Sequence, residues 1–260
     1  QLRRFLTWLT GKHTQAEIGG GTGRSFRHDT AWCWQLQPHM PVTGEVHDVV
    51  LVDGIWIGSG TDIAAEALSQ IGFDWMLIDT EHGPIEAGQA LHLLRATGLG
   101  GTDCVLRVAW NDPVLIKRVL DLGAQTLMVP FVQNADEARA AVRATRYAPE
   151  GIRGMAGITR AGRYGLADDY LSTANDQMAL IVQVETAEAL ENLDAIAAVE
   201  GVDGVFIGPY DLSASMGQPG NPAHPAVMAA IGDAAARIRA AGKAASILAL
   251  DTDTARGYAE

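Results

Sequence analysis

Two acidic residues stand at the ends of short apolar runs and mark a candidate metal site. Glu185 ends the run within residues 179–186, and Asp211 ends the run within 204–211. In a parallel α/β barrel about 250 residues carry eight repeats, so neighbouring strands recur about every 25–30 residues, and catalytic groups lie at the carboxyl ends of the strands. We therefore expect Glu185 and Asp211 to be neighbours that bind a cation.

The ends of other apolar runs carry further side chains suited to chemistry. These candidates are Trp56, Asp79, Glu81, His82, Arg107 and Gln183. Each one alone has a structural explanation, such as capping a helix, but together they converge on the functional face of a barrel. Two carboxylates with a histidine and an arginine suit a hard cation such as Mg²⁺ or Mn²⁺ that holds an oxygen-rich substrate. Zinc is disfavoured because the sequence shows no thiolate and no obvious second histidine for the site.

The lysines argue against Schiff-base chemistry. The chain has three, and none follows a predicted strand at its carboxyl end: Lys12, Lys117 and Lys243. Carbanion chemistry on this scaffold therefore requires a metal ion, rather than an imine, as its electron sink.

From about residue 49 the sequence alternates apolar runs with helical stretches, which predicts a parallel sheet in an α/β fold. The predicted strands are 50–57, 74–79, 103–108, 125–130, 179–184, 203–208 and 244–249. The predicted helices are 61–71, 86–97, 112–122, 135–146, 186–197 and 225–241, with a further helix beginning in the last nine residues. Seven βα units predict a (β/α)8 TIM barrel that lacks its eighth strand and helix. The Gly- and Arg-rich segment 147–178 is predicted to be an active-site loop with a short helix, rather than a linker between domains.

The first 48 residues differ from the rest of the chain. Residues 1–39 hold five Lys or Arg against two acidic residues, in a chain of net charge −12. The segment GGGTGRS lacks the spacing of a phosphate loop, so a linker is favoured and no nucleotide is expected. We expect residues 1–48 to be an atypical, poorly ordered extension and residues 49–260 to be the barrel domain.

Charge, hydropathy and cysteine content exclude several classes of protein. The strong negative charge disfavours nucleic-acid binding. No apolar run approaches the ~20 residues that a membrane-spanning helix needs. Cys33 and Cys104 are the only cysteines, and Cys104 lies in a predicted strand, which favours a reducing compartment and a cytoplasmic location.

Long motifs in the body of the chain resemble one family. They include GFDWMLIDTEHGP, RVAWNDPVLIKRVLDLGAQTLMVPFVQNADEARAAVRATRYAPEGIRG, ANDQM, VQVET and VEGVDGVFIGPYDLSASMG. From residue 54 to residue 260 the sequence resembles the class II, metal-dependent pyruvate aldolases of the 4-hydroxy-2-oxoheptanedioate aldolase family, relatives of the citrate lyase β-subunit.

The resemblance implies a role for each candidate residue. Glu185 and Asp211 would bind Mg²⁺, Mn²⁺ or Co²⁺, and Arg107 would hold the ketone oxygen of pyruvate. His82 would transfer a proton, with Asp79 and Glu81 nearby. The remaining substrate-binding candidates are Gln183, Trp56 and the backbone N–H groups of Tyr210 and Asp211.

The implied activity is reversible cleavage of a 4-hydroxy-2-oxo acid to pyruvate and an aldehyde such as succinic semialdehyde. Alternatives are a 2-keto-3-deoxy sugar acid as substrate, a non-catalytic truncated barrel that serves in assembly, and chemistry on a coenzyme A thioester. Tyr210 departs from the small residue usual in the family, which leaves the aldehyde range open. Family members commonly form homo-hexamers, so we expect a homo-oligomer acting on small molecules.

Overall fold

Seven parallel strands alternate with helices along the chain and curl into a barrel wall. The computed structural model describes residues 32–38, 49–100 and 102–259. The parallel strands are β2 (Val49–Ile57), β3 (Trp75–Asp79), β4 (Asp103–Arg107), β5 (Thr126–Val129), β6 (Ala179–Val184), β7 (Gly204–Ile207) and β8 (Ala244–Ala249). Each lies within one residue of its predicted bounds, which confirms the α/β fold and the parallel half-barrel.

Helices follow the parallel strands and cover the outside of the sheet. They are α1 (Asp62–Ser69), α2 (Ala87–Thr97), α3 (Pro113–Asp121), α4 (Ala135–Thr145), α5 (Tyr170–Thr173), α6 (Ala187–Glu191), α7 (Leu193–Ala197), α8 (Pro209–Ser215), α9 (Pro225–Ala240) and α10 (Thr252–Ala259). Polar caps start several of them: the Asp112 side chain, for example, accepts from two backbone N–H groups of α3. Within the described ranges, no helix has both the length and the apolar character to cross a bilayer.

One predicted helix is divided and one helix was not predicted. The stretch 186–197 forms α6 and α7, which separate at Asn192. The Asn192 side chain donates from Nδ2 to the carbonyl of Gln133 at 2.9 Å, a contact with the loop after β5 that no helical periodicity encodes. The unpredicted α8 begins at Pro209, directly after β7.

A strand from the N-terminal segment closes the barrel. Residues Trp32–Pro38 form β1, which pairs antiparallel with β2 on one side and with β8 on the other. Trp32–Pro38, which lies within the segment expected to be an extension, is therefore part of the barrel and covers the edges of β2 and β8. Because β1 is antiparallel, it closes the sheet without being the eighth parallel strand of a (β/α)8 barrel. The other residues of the 1–48 segment lie outside the described ranges, so their predicted poor order is not tested.

Apolar side chains alternate between two cores because successive strand residues point to opposite faces. One core lies between the sheet and the helices and includes Met76, Ile78 and Leu106. The smaller core fills the barrel interior. Its buried members are Trp56, Trp75, Leu77, Val105, Met128, Ile181 and Phe206.

The segment 147–178 lies at the opposite end of the barrel from the predicted active site. It connects α4 to β6, and a helix-to-strand connection begins and ends at the amino-terminal face of the sheet. Arg153 from this segment forms an ion pair with Asp121, at the last turn of α3, at 3.1 Å. The prediction that this segment is an active-site loop of its own barrel is therefore wrong.

Candidate active site

A layer of polar side chains covers the interior core at the carboxyl ends of the strands. Asp79, Arg107 and Gln183 each follow an apolar interior residue by two positions, so they face the same interior. All three are buried. The register of β3 and β4 places Asp79 directly beside Arg107.

The Arg107 guanidinium is held on three sides. Its Nε and Nη2 atoms donate to the two Asp79 oxygens at 2.9 and 2.7 Å, a bidentate geometry. Its Nη1 atom lies 2.8 Å from a Glu81 carboxylate oxygen and donates to Gln183 Oε1 at 3.3 Å. The Trp56 ring lies 4.8 Å from the guanidinium carbon. The orientation of Arg107 is therefore fixed before a substrate arrives.

The Asp79 carboxylate accepts hydrogen bonds from several neighbouring groups besides Arg107. It also accepts from Trp56 Nε1 at 3.0 Å and from the backbone N–H groups of Glu81 and His82 at 3.0 and 3.3 Å. Burial raises the pKa of Asp79, but the bonds and charge of Arg107 outweigh burial, and the net pKa is lowered. An ionised, fully bonded Asp79 fits the positioning of Arg107.

Glu185 is a buried carboxylate among other negative charges. Its Oε1 accepts from the Phe131 backbone N–H at 2.9 Å, and its Oε2 accepts from Gln183 Nε2. Burial, with the charges of Glu81 and Asp211, raises its pKa to about 7 against the opposing effect of these hydrogen bonds. The charges of Glu81 and Asp211 thus act on Glu185 in the same direction as its burial.

Glu81 and His82 lie between Arg107 and the open mouth of the barrel. Burial raises the pKa of Glu81, and the charge of Arg107 opposes the rise. His82 Nε2 is 3.8 Å from Glu81, and 69% of the His82 side chain is exposed. The exposed His82 ring therefore lies beside a carboxylate that is itself in contact with Arg107.

A glycine allows the turn after β7 to approach Glu185. A β-carbon added to Gly208 would lie 2.5 Å from Glu185 Oε2 and 2.7 Å from Glu185 Cβ. Pro209 then starts α8, which places Tyr210 and Asp211 in the first helical turn. Both are exposed at the mouth, Tyr210 to 42%.

The predicted metal ligands have a donor chemistry that fits a hard cation. Glu185 and Asp211 supply carboxylate oxygens, and their mutual repulsion is what a bound cation would relieve. Over the described part of the chain, no group of three His, Cys, Asp or Glu side chains is arranged to hold a metal ion. Two protein carboxylates leave the other positions for substrate and water, as Mg²⁺ sites commonly do.

Three aromatic residues lie near this site, and two of them were not among the predicted site residues. Trp56, predicted to bind substrate, is buried with its ring against the Arg107 guanidinium, and its substrate-binding role stays a prediction. Phe131 and Trp110 were not predicted, yet their rings stack at the mouth with centroids 5.6 Å apart. The available signal was their place within two residues of the ends of predicted strands, but neither residue type suggests catalysis.

The barrel, with buried polar side chains at the carboxyl ends of its strands, has the architecture of an α/β-barrel enzyme, whose active site lies at this face. The model of the HpcH/HpaI aldolase/citrate lyase family matches residues 53–260. The chain belongs to this family, whose members are divalent-metal-dependent aldolases, and the resemblance seen in the sequence is confirmed.

Named relatives and a solved structure agree with this assignment. The chain is 55% identical over 208 residues to a 4-hydroxy-2-oxo-heptane-1,7-dioate aldolase of Shigella sonnei, covering 80% of this chain and 79% of the relative. An Escherichia coli relative of the same name is 54% identical, with the same coverage. A crystal structure of a family member from Burkholderia cenocepacia is 45% identical with a TM-score of 0.77, over 79% of this chain and 82% of that one.

Proposed function

We propose that the protein cleaves 4-hydroxy-2-oxo acids by a reversible retro-aldol reaction to pyruvate and an aldehyde. The observation that carries the proposal is the fixed guanidinium of Arg107, which shares a buried polar layer with Gln183 and the candidate metal ligand Glu185. The named relatives suggest the first substrate to test, 4-hydroxy-2-oxo-heptane-1,7-dioate, which would yield succinic semialdehyde.

Arg107 and the turn after β7 would hold the 2-oxo acid portion. The Nη2 atom of Arg107 has two N–H groups and gives one to Asp79, which leaves the other for the ketone oxygen. The backbone N–H groups of Tyr210 and Asp211, in the first turn of α8, would bind the carboxylate. Gln183, bonded to both Arg107 and Glu185, would set the spacing between these groups.

Cleavage requires loss of the proton from the C4 hydroxyl. His82 is the exposed base at the mouth and would accept this proton, with Glu81 orienting its ring. As the C3–C4 bond breaks, its electron pair passes toward the ketone oxygen, where the Arg107 charge stabilises it. The same bond cleavage leaves C4 as the carbonyl carbon of the aldehyde. The remaining enolate takes up one proton at C3 to give pyruvate, which balances the proton passed to His82.

Glu185 and Asp211 would hold the divalent cation, with Mg²⁺, Mn²⁺ and Co²⁺ as the candidates. When bound, such an ion supplies Lewis-acid stabilisation of negative charge on a substrate oxygen. A cytoplasmic location, which rests on the cysteine usage, and a homo-hexameric assembly, which rests on the family resemblance, complete the proposal.

The test is pyruvate release by the purified chain, coupled to a reporter enzyme. Removal of metal with EDTA should abolish cleavage, and Mg²⁺, Mn²⁺ or Co²⁺ should restore it. Glu185→Gln should stay inactive at every metal concentration, while Glu188→Gln, which changes an exposed acid in the first turn of α6, should behave as the unchanged chain. Borohydride trapping of a pyruvate imine on Lys117 or Lys243 would contradict the proposal.

A further inference from the structure

A cavity lies at the amino-terminal face of the barrel, at the opposite end from the candidate active site. Gln125, directly before β5, and Met178, directly before β6, mark its place in the fold. Its volume of about 480 Å³ falls within the range common for small-molecule sites. The polar and aromatic residues that line it are Gln125, Arg160, Arg163, Tyr164, Tyr170 and Gln177.

The cavity is positively charged, in a chain of net charge −12. Of the described residues, Arg160 and Arg163 line it, and no Asp or Glu does. Arg160 Nη1 donates to the Leu122 carbonyl at 2.6 Å, which uses one of its N–H groups. Among the ion pairs within residues 49–100 and 102–259, none involves either arginine. Guanidinium groups without a carboxylate partner are suited to bind an anionic ligand.

The loop that carries Arg163 has an uncommon backbone conformation. Arg163, Tyr164 and Gly165 are three successive residues with positive φ, at 51°, 59° and 85°. Residues other than glycine seldom adopt this conformation, and it persists where surrounding contacts enforce it, often at ligand sites. Here the Tyr164 N–H donates to the Thr159 carbonyl at 2.7 Å. The loop therefore holds Arg163 and Tyr164 together at the cavity against their backbone preference.

Two tyrosines and several apolar groups supply the rest of the lining. Tyr170 is half-buried, and its hydroxyl accepts from Arg153 Nη2 at 3.0 Å, which holds the ring in place. Tyr164 and Leu166 are 64% and 83% exposed, so the cavity has an apolar rim that is open to a ligand. Tyrosine rings offer flat apolar surface to another ring. A ligand with both a negative charge and a flat apolar body therefore matches the cavity.

We propose that this cavity binds a small aromatic carboxylate, at a site separate from the candidate active site. The carboxylate would pair with Arg160 and Arg163, and its ring would lie against Tyr164 and Tyr170. The inference goes beyond the proposed aldolase function and does not depend on it, since no lining residue takes part in that reaction.

Titration calorimetry of the full chain with benzoate tests the site. Benzyl alcohol lacks the charge and acetate lacks the ring, so each should bind at least about tenfold more weakly than benzoate. Arg163→Gln and Arg160→Gln should each weaken benzoate binding at least about tenfold, the size expected for loss of a charged hydrogen-bond donor. Arg139→Gln changes an exposed arginine on α4 and should leave the affinity unchanged.

Several results would overturn the inference. Equal affinity of benzoate for the unchanged chain and both cavity variants would place the bound benzoate elsewhere, the active site included. Equal binding of benzyl alcohol or of inorganic phosphate would show that the cavity does not select an aromatic carboxylate. If benzoate fails to bind and Arg163→Gln lowers the sedimentation coefficient, the arginines instead form a contact between copies of the chain.

Pyruvate release separates this inference from the proposed function. Arg163→Gln should cleave the 4-hydroxy-2-oxo acid at the rate of the unchanged chain, because Arg163 lies at the opposite face from the site of cleavage. A chain that binds benzoate through Arg163 but releases no pyruvate would overturn the proposed function and leave this inference standing.

Discussion

At the residue scale, the orientation of Arg107 is set by the side chains that it contacts. A planar guanidinium matches the two oxygens of Asp79, and the remaining Nη1 atom reaches Glu81 and Gln183. A flexible ammonium cannot make these contacts together. The proposed function needs a donor oriented in advance, since such a donor can stabilise charge that appears only in the transition state.

Replacing Arg107 by lysine should lower kcat by about 100- to 1000-fold, because one transition-state donor is lost with the planar fork. Steady-state pyruvate release measures the effect, and circular dichroism confirms the fold. Arg139→Lys is the matched control, since Arg139 forms an exposed ion pair on α4. An unchanged kcat with a raised KM would show that Arg107 serves substrate binding alone.

The Asp79 carboxylate should stabilise the fold in a pH-dependent manner. Because its folded pKa lies below the ordinary value of 3.8, its stabilising effect is complete above that value and is lost as pH falls through the folded pKa. Asp79→Asn should lower the free energy of unfolding by about 3 kcal/mol at pH 7, since it leaves Arg107 buried without its charge partner. The difference in free energy of unfolding between Asp79→Asn and the unchanged chain should be smaller at pH 3 than at pH 7.

Urea unfolding measures the free energy of unfolding of each protein at pH 7 and at pH 3. Asp136→Asn, which removes an exposed acid, should change stability little at either pH. An equal deficit for Asp79→Asn at both pH values would show that the residue acts through packing and hydrogen bonds rather than through its charge.

At the scale of elements, the site depends on how closely the strand ends and their loops approach one another. The loop after β5 is bonded to the end of β6 through Phe131 and Val132. The turn after β7 approaches the same strand end from the other side, where Gly208 leaves room for Glu185. Glu185 is therefore confined between two loops.

Gly208→Ala should displace the Glu185 carboxylate, because the new methyl group would lie 2.5 Å from one of its oxygens. The backbone φ of −89° suits alanine, so the effect is steric and local. We expect metal affinity and cleavage to fall at least tenfold with little change in secondary structure, as measured by titration calorimetry, activity and circular dichroism. Gly58→Ala, with open space around the added carbon at the same face, is the control. Unchanged metal affinity would show that Glu185 moves without loss of ligand geometry.

At the scale of the whole molecule, closure of the sheet depends on a segment far from the βα repeats in sequence. β1 pairs along its length with β2 and over Trp32–Leu36 with β8. Without it these two strands would each present unpaired N–H and C=O groups, which recruit other chains. The N-terminal segment therefore contributes a strand to the barrel, which its composition does not predict.

Deleting residues 1–48 should therefore cause aggregation and a lower, broader thermal transition. Light scattering and differential scanning calorimetry measure the two effects. A deletion that ends at residue 31 keeps β1 and is the matched control. If the longer deletion remains monodisperse with an unchanged transition, β1 contributes nothing to the stability of the barrel.

The sequence by itself determined the repeating part of this protein. The seven parallel strands could be located because apolar runs and helix caps are local signals. The site residues could be grouped because parallel strands bring their carboxyl ends to one face. These residues are Asp79, Glu81, His82, Arg107, Gln183, Glu185 and Asp211. The tertiary structure alone decided the rest: antiparallel closure by β1, the location of segment 147–178, the pairing of Arg107 with Asp79, and the left-handed Phe131 beside Glu185. These features arise from hydrogen bonds and close contacts between segments distant in sequence, and no local periodicity encodes such contacts.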